Sequence, residues 1–338
     1  MNREFLTELL SCVSVSGYEE PLQDTVEREM KPWTDEIRRD EMQNLVCVQN
    51  PESETRIMLS AHADEIGVMV SHIREDGRLQ VVDRGGIVPA TYPGQQIKLM
   101  GKEGEVYGVV EASRELFKEE NLGTRQFLLD IGAKDREEAL RYVDLGSPAV
   151  PDTHIRKMAG GRLTARALDD RAGVFIIMEA AKRARERGCK HGVYAAATVG
   201  EETTKNGAYW CSARIRPSLA IVVDVTYTGD CTGMDPSETG EIKLGAGPVL
   251  CNSPIVAKGL NRKMAECAEK AGIPVQWEAA SRLSYTDADK IHFSNEGVPV
   301  VLVSLPLRYM HMPAEVADEQ DIENCIELLA TFLTEYQA

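Results

Sequence analysis

The hydrophobic patterning of this chain changes texture twice, and that constrains its fold more than any single motif. At the start, helical periodicity over Arg3 to Leu10 and Pro21 to Met30 precedes the apolar run Arg56-Ile57-Met58-Leu59-Ser60-Ala61, which reads as a buried strand. From about Val68 to Val150 the apolar runs become short and alternating, over 68–73, 79–82, 96–99 and 105–110. Asp76-Gly77, Gly85-Gly86, Pro93-Gly94 and Gly101 separate them, so this stretch predicts a small β-rich unit with tight turns and one late helix, Lys134 to Tyr142. After Gly160-Gly161 the alternation of helix and strand resumes, with helices expected over 171–184, 261–271 and 318–336 and strands over 193–199, 219–225 and 298–305. The expected organisation is therefore an α/β domain made of residues 1–67 and 160–338, interrupted by a β-rich domain over 68–159. A length of 338 residues fits two units, because single hydrophobic cores rarely grow so large.

Composition narrows the partners. Lys and Arg number 38 against 54 Asp and Glu, a formal charge of −16, and such a surface repels nucleic acid and anionic lipid. The longest apolar stretches, 297–307 and 219–225, fall well short of the roughly 18 residues of a membrane span. The opening MNREFLTELLSC carries acids inside its apolar pattern and reads as an amphipathic helix, not a signal peptide. Eight cysteines are scattered without a C-x-x-C pair, as expected of reduced thiols in a cytoplasmic protein.

In the α/β portion, histidines and carboxylates gather at the ends of the expected buried strands. Strand 56–61 leads into His62-Ala63-Asp64-Glu65, strand 193–199 into Glu201-Glu202, strand 219–223 into Asp224, and strand 298–305 towards Arg308-Tyr309-Met310-His311. Ligands of open α/β sheets bind at such strand ends, so these clusters point to one crevice. A further polar group, Asp169-Asp170-Arg171, opens an apolar helix, and helix capping is its plain structural reading. The others have plain readings too: a core histidine at His62, a surface loop at His311, a solvated Glu201-Glu202 pair and a turn at Asp224. Together they also fit a pair of divalent ions about 3.5–4 Å apart, which needs neutral imidazoles, anionic oxygens and a bridging carboxylate. His62, His311, Asp169, Glu202 and Asp224 supply that set and leave Glu201 as a base. Two divalent ions, three carboxylates and one hydroxide sum to neutrality. His72, His154, His191 and His292 lack such placement.

These motifs resemble the M42 family of metallo-aminopeptidases, the group of tetrahedral and glutamyl aminopeptidases. The resemblance rests on Ala61-His62-Ala63-Asp64-Glu65-Ile66-Gly67, Ala167-Leu168-Asp169-Asp170-Arg171-Ala172-Gly173, Glu201-Glu202, Asp224 and Arg308-Tyr309-Met310-His311, with lesser matches at Asp130-Ile131-Gly132-Ala133 and Gly247-Pro248. It implies an α/β/α catalytic domain with a dinuclear metal site, interrupted by a small β-barrel-like dimerisation domain, and dimers that assemble into a dodecamer. It implies that His62 and Asp224 hold one metal, Glu202 and His311 the other, and that Asp169 bridges them. Zn²⁺ heads the expected metals, with Co²⁺ or Mn²⁺ as alternatives. Glu201 is the implied general base towards a metal-bridging water, and Asp64 the residue that orients His62. The implied substrates are peptides with a free N-terminus; the residues that bind them are not identified. The sequence departs from the family pattern at 113–125, at Thr203 to Gly207 and at Arg282-Leu283-Ser284-Tyr285. Alternative functions are an N-deacylase on the same site, an endoglucanase, or a non-catalytic assembly protein. A glycosidase needs two carboxylates across a sugar ring, not histidines around an aspartate.

Overall fold

The structure is a computed structural model that describes residues 1–337, apart from the side chains of residues 238 and 239. Its strands are β1 (Glu36–Arg39), β2 (Leu45–Gln49) and β3 (Arg56–His62), followed by β4 (Gly67–Ile73), β5 (Leu79–Arg84), β6 (Gln96–Gly101), β7 (Gly104–Val110), β8 (Leu128–Asp130) and β9 (Pro148–Pro151). Then come β10 (Arg156–Lys157), β11 (Arg162–Ala165), β12 (Gly192–Thr198), β13 (Leu219–Tyr227), β14 (Val249–Asn252), β15 (Gln276–Ala279), β16 (Val300–Leu307) and β17 (Glu315–Asp318). Eight of these form one sheet in the order β1-β2-β12-β3-β13-β16-β14-β15, and β10, β11 and β17 form a second, small sheet.

The middle of the large sheet, β12-β3-β13-β16, is parallel. Its strands are buried almost throughout, which explains why they read as continuous apolar runs and not as alternation. Alternate residues serve two cores. Ile57, Leu59 and Ala61 pack on one face with Phe175, Ile176 and Leu329, from the helices Leu168–Glu186 and Glu319–Glu335. Met58 packs on the other face with Ala208, Ile215 and Ile291, from the helices Asn206–Ile215 and Ala288–Phe293. The result is a three-layer α/β/α unit. The helix Leu168–Glu186 is buried nearly all round, as its lack of a polar face requires. Each Leu, Ile or Phe buried here contributes about 1.5–3 kcal/mol, so truncating Phe175 to alanine costs about 3–5 kcal/mol.

Between β3 and β10 the chain closes a six-stranded barrel, β4-β5-β8-β7-β6-β9, around Val68, Val70, Val81, Ile97, Leu99, Phe127 and Leu129. Closure leaves the short alternating strands without a free edge. Gly77, Gly85 and Gly94 take positive φ of 82°, 77° and 85° at the turns that the sequence marks with glycine.

Two expectations need correction. The strand at Asp224 does not stop there, because β13 runs on to Tyr227, and Asp224 is an interior strand residue with its neighbours Val223 and Val225 buried. The last sheet strand, expected over 298–305, spans Val300–Leu307. The strands β1, β2, β14 and β15 and the helices Asn206–Ile215 and Ala288–Phe293 carry no expectation from the sequence. All eight cysteines are free thiols. Among the described residues no helix is long and apolar enough to cross a membrane.

Candidate metal centre

Parallel strands deliver their carboxyl ends to one side of a sheet, and here they deliver the expected residues. His62 closes β3, Glu201 and Glu202 follow β12 after a turn at Gly200 (φ 70°), Asp224 lies near the end of β13, and His311 follows β16. Ligand atoms of His62, Asp169 and Asp224, of Asp169, Glu202 and His311, and of His62, Glu201 and Glu202 form three groups, each within 4.8 Å of one another.

Asp169 stands between the two histidines. Its Oδ1 lies 3.1 Å from His62 Nε2 and its Oδ2 3.3 Å from His311 Nε2. On the flanks, Asp224 Oδ1 is 4.0 Å from His62 Nε2 and Glu202 Oε1 is 3.4 Å from His311 Nε2. Each ring also has a fixed second contact: His62 Nδ1 is 3.0 Å from the backbone carbonyl of Asp64, and His311 Nδ1 is 3.0 Å from that of Gly86. These contacts aim both Nε2 atoms inwards. The Asp64 carboxylate is 3.5 Å from His62 Nδ1 and accepts hydrogen bonds from the backbone of Glu201 (3.0 Å) and Glu202 (3.1 Å) and from the Ser16 hydroxyl. It therefore holds the glutamate pair as well as facing the histidine.

The Asp169-Asp170 pair divides the two readings the sequence allows. Neither residue is helical. Asp170 Oδ1 accepts from Gly173 N at 3.1 Å, which is helix capping, and its other oxygen accepts from His62 N at 3.3 Å. A Cβ on residue 173 would fall 2.2 Å from Asp170 Oδ1, so the cap requires glycine there. Asp169 is thus free to face the histidines.

Two residues with no expected role complete the site. Buried Glu315 accepts from Asp169 N (3.1 Å) and His311 N (3.0 Å), tying the two central residues to β17. His311 and Tyr309 both sit at φ 63°, a conformation that costs about 1–3 kcal/mol and persists only when neighbours enforce it. Lys205, four residues beyond Glu201, places Nζ on the Glu201 carboxylate and 2.7 Å from the Tyr285 carbonyl oxygen. Glu315 could have been suspected only from its place four residues after His311, whereas Lys205 lies inside a segment that departs from the family pattern. The barrel also reaches the centre: a Cβ at Gly85 would press on Ile66 at 2.7 Å and Glu202 at 3.2 Å, and one at Gly86 on His311 at 3.1 Å.

The electrostatics call for cations. Burial and the charge of Asp169 push Asp224 up to about 7, although His62 opposes them. Burial likewise raises Glu202, with His311 opposing. Burial disfavours charge on His311, yet Asp169 and Glu202 raise it to about 11, and His62 rises for the same reason through Asp169 and Asp64. Asp169 falls below the ordinary carboxylate range, because the two imidazoles outweigh its burial. A buried set that gathers positive charge this strongly, with imidazole and carboxylate donors aimed at common points, fits two divalent ions. Beside it lies a cavity of about 480 Å³ whose walls include Glu201, Tyr227, Tyr285 and Met310.

Fold and site together define a metal-dependent hydrolytic enzyme. The sequence matches the family described as M42 glutamyl aminopeptidase over residues 43–328. It is similar to the lysyl aminopeptidase of Pyrococcus furiosus, with 33% identity over an alignment of 345 positions that covers 98% of this chain and 96% of the relative. Among solved structures it is similar to the TET aminopeptidase of a marine sediment Thaumarchaeota archaeon (TM-score 0.92, 29% identity, 99% and 96% of the two chains). It is also similar to the Pyrococcus horikoshii TET1 peptidase, described as assembling into a tetrahedron or a large octahedral shell (TM-score 0.87, 30% identity, 99% of each chain). The chain belongs to the M42 peptidase family.

Proposed function

We propose that this chain is a dinuclear metal-dependent aminopeptidase that removes the N-terminal residue from peptides, with Glu201 as its general base. The observation that carries the reading is Asp169, whose two oxygens each face a different imidazole, with Glu201 beside them and bound to neither ring. His62 and Asp224 would hold one ion, Glu202 and His311 the other, and Asp169 both. When bound, the ions polarise the scissile carbonyl and acidify water. Glu201, at the cavity wall, takes the proton from the attacking water and returns it to the departing amine. Asp64 fixes where that carboxylate stands, through the backbone of residues 201 and 202. Zn²⁺ is the first choice of metal, and Co²⁺ or Mn²⁺ suit the same donors. The anchored α-amino group of the substrate confines cleavage to the first residue.

Residues 68–159 are proposed to form the dimerisation module. The exposed Tyr107, Val109, Phe117 and Tyr142 on and around the barrel support this, as does the shell-forming relative, and dimers would then build a dodecamer. The acidic surface agrees with peptide substrates and not nucleic acid.

The test is to incubate the protein with Zn²⁺, Co²⁺ or Mn²⁺, and separately with chelator, on free and N-blocked peptides. Release of N-terminal residues from free peptides alone, abolished by chelation, is expected. Activity that survives full chelation overturns the dinuclear reading, and cleavage of N-blocked substrates only would make the protein a deacylase.

A further inference from the structure

A second cavity, of about 230 Å³, adjoins the metal centre and plays no part in the chemistry described so far. The two cavities share Val225, Thr226, Tyr227, Ser284, Tyr285 and Thr286 as walls, so they lie side by side. The second is lined by Glu278 of β15, its only acid. Glu278 is half-buried, and among the described residues it makes no ion pair with a lysine, arginine or histidine. Thr226 Oγ1 donates to it at 2.6 Å. Burial raises its carboxyl above the ordinary range, with Thr226 and the Cys251 thiol pulling the other way. Ser304, 1% exposed and on the same wall, stands near enough to favour that charge, yet its hydroxyl makes no hydrogen bond of ordinary length among the described residues. A half-buried acid without a counter-charge, flanked by a threonine and a serine hydroxyl on the wall of a cavity, is suited to a cationic ligand.

Spacing says which part of the substrate arrives there. Asp224 and Thr226 are two residues apart on β13 and share a face, so their Cα atoms are about 6–7 Å apart. Glu278 lies one hydrogen bond beyond Thr226. A residue whose α-amino group is held at the metal centre would approach this acid with a long side chain such as the four-carbon stem and ammonium head of lysine. Tyr227 and Tyr285, exposed on the wall common to both cavities, offer ring faces to such a stem. Lys205, on the wall of the first cavity, does not compete, because it is held by Glu201 and the Tyr285 carbonyl. Arg282 also lines this cavity, is exposed and makes no ion pair with Glu278 among the described residues.

We propose that the cavity lined by Glu278 receives the side chain of the substrate's first residue and selects a basic one. This rests on the aminopeptidase reading above. The names of the family and of its relatives, glutamyl in one case and lysyl in another, do not decide the matter; Glu278, Thr226 and Ser304 do.

The experiment compares 4-nitroanilides of lysine, arginine, norleucine, leucine and glutamate on the metal-loaded protein. Norleucine keeps the stem of lysine and lacks its charge. The expected kcat/KM for lysine exceeds that for norleucine by about ten-fold or more, and Glu278→Gln removes that ratio while norleucine stays within about three-fold. Equal or better cleavage of norleucine by the unaltered protein overturns the proposal, as does a Glu278→Gln variant that loses all substrates alike. Inhibition by free lysine against free norleucine gives the same comparison without any variant, and equal inhibition overturns it. Cleavage without preference defeats only this inference. Cleavage of none of the five defeats the aminopeptidase reading, and the inference with it.

Discussion

Two buried charge clusters lie next to each other in this protein and are built from the same stretches of chain, yet they have opposite characters. One is the metal centre, where His62, Asp169, Glu202, Asp224 and His311 gather an excess of acid. The other begins three residues after His62 and two after Asp169. There Glu65 meets Arg166 at 3.0 Å and also pairs with Arg171, all three buried, while both guanidinium groups donate to the Cys12 carbonyl oxygen. Two cations, one anion and a carbonyl oxygen form a set in which each charge has a partner. The first cluster contains no lysine or arginine, and the second contains two arginines. A buried charge that is partnered within the chain is structural, and one that is left over is a site for something else.

The largest expected effect breaks the first cluster's chemistry without altering any of its five proposed ligands. Glu201→Gln should lower kcat by about 10²–10⁴-fold while both metals remain, as read by steady-state kinetics beside metal analysis. Full activity would remove Glu201 from the mechanism. The second cluster should respond in stability instead. Glu65→Gln strands two buried arginines and should cost about 3–5 kcal/mol, lowering the melting temperature by several degrees with the ligands untouched. A melting temperature unchanged within a degree would mean the cluster is not what holds these segments together.

Metal links the two views. Asp169→Asn should lower metal content at both positions, and chelation should lower the melting temperature of the unaltered protein, since a ligand at a hundred times its Kd stabilises by about 2.7 kcal/mol. Two metals retained per chain in the variant would refute the bridging role of Asp169.

The smallest effect concerns a third buried carboxylate, Asp321, which accepts from Gly245 N (2.7 Å) and Gly247 N (2.8 Å). Burial raises it from 3.8 to about 6 despite those donors. The folded state therefore binds its proton more tightly than the unfolded chain does. That contribution to stability is full below about pH 4 and is lost as pH rises through about 6. Melting curves of the unaltered protein and Asp321→Asn should diverge over that window, and parallel pH profiles would contradict the assignment.

What the sequence makes legible follows from these physical differences. The core strands β3, β12, β13 and β16 are buried on both faces, so their composition announces them, and polar residues at their ends stand out by contrast. The strand Glu36–Arg39 has no such run: it is an edge strand, half-exposed, and its Glu-Ile-Arg-Arg could belong to any surface segment. Glu315 and Arg171 are hidden for a related reason. Each is an ordinary polar residue in sequence, and only the fold brings one to the backbone of His311 and Asp169 and the other to Glu65. Asp169-Asp170 shows the limit most clearly, because capping and site roles coexist in adjacent residues and no spacing rule assigns them. The bulky segment Arg282 to Tyr285 stands out as a departure from the family pattern, but its contribution to a second cavity becomes visible only in three dimensions.

The turn at Gly85-Gly86 gives the barrel a standing that its position between β3 and β10 does not suggest. Its backbone carbonyl seats the ring of His311, and its missing side chains make room for that ring and for Glu202. Cutting the barrel out and rejoining Gly67 to Pro151 would leave a continuous α/β sheet, yet His311 would lose the contact that sets its ring. A gene that shed this segment would forfeit a wall of its reaction centre together with any assembly surface. The two units are separable as stretches of code and inseparable as chemistry, so exchange of such insertions between relatives can succeed only where the incoming turn presents the same bare backbone.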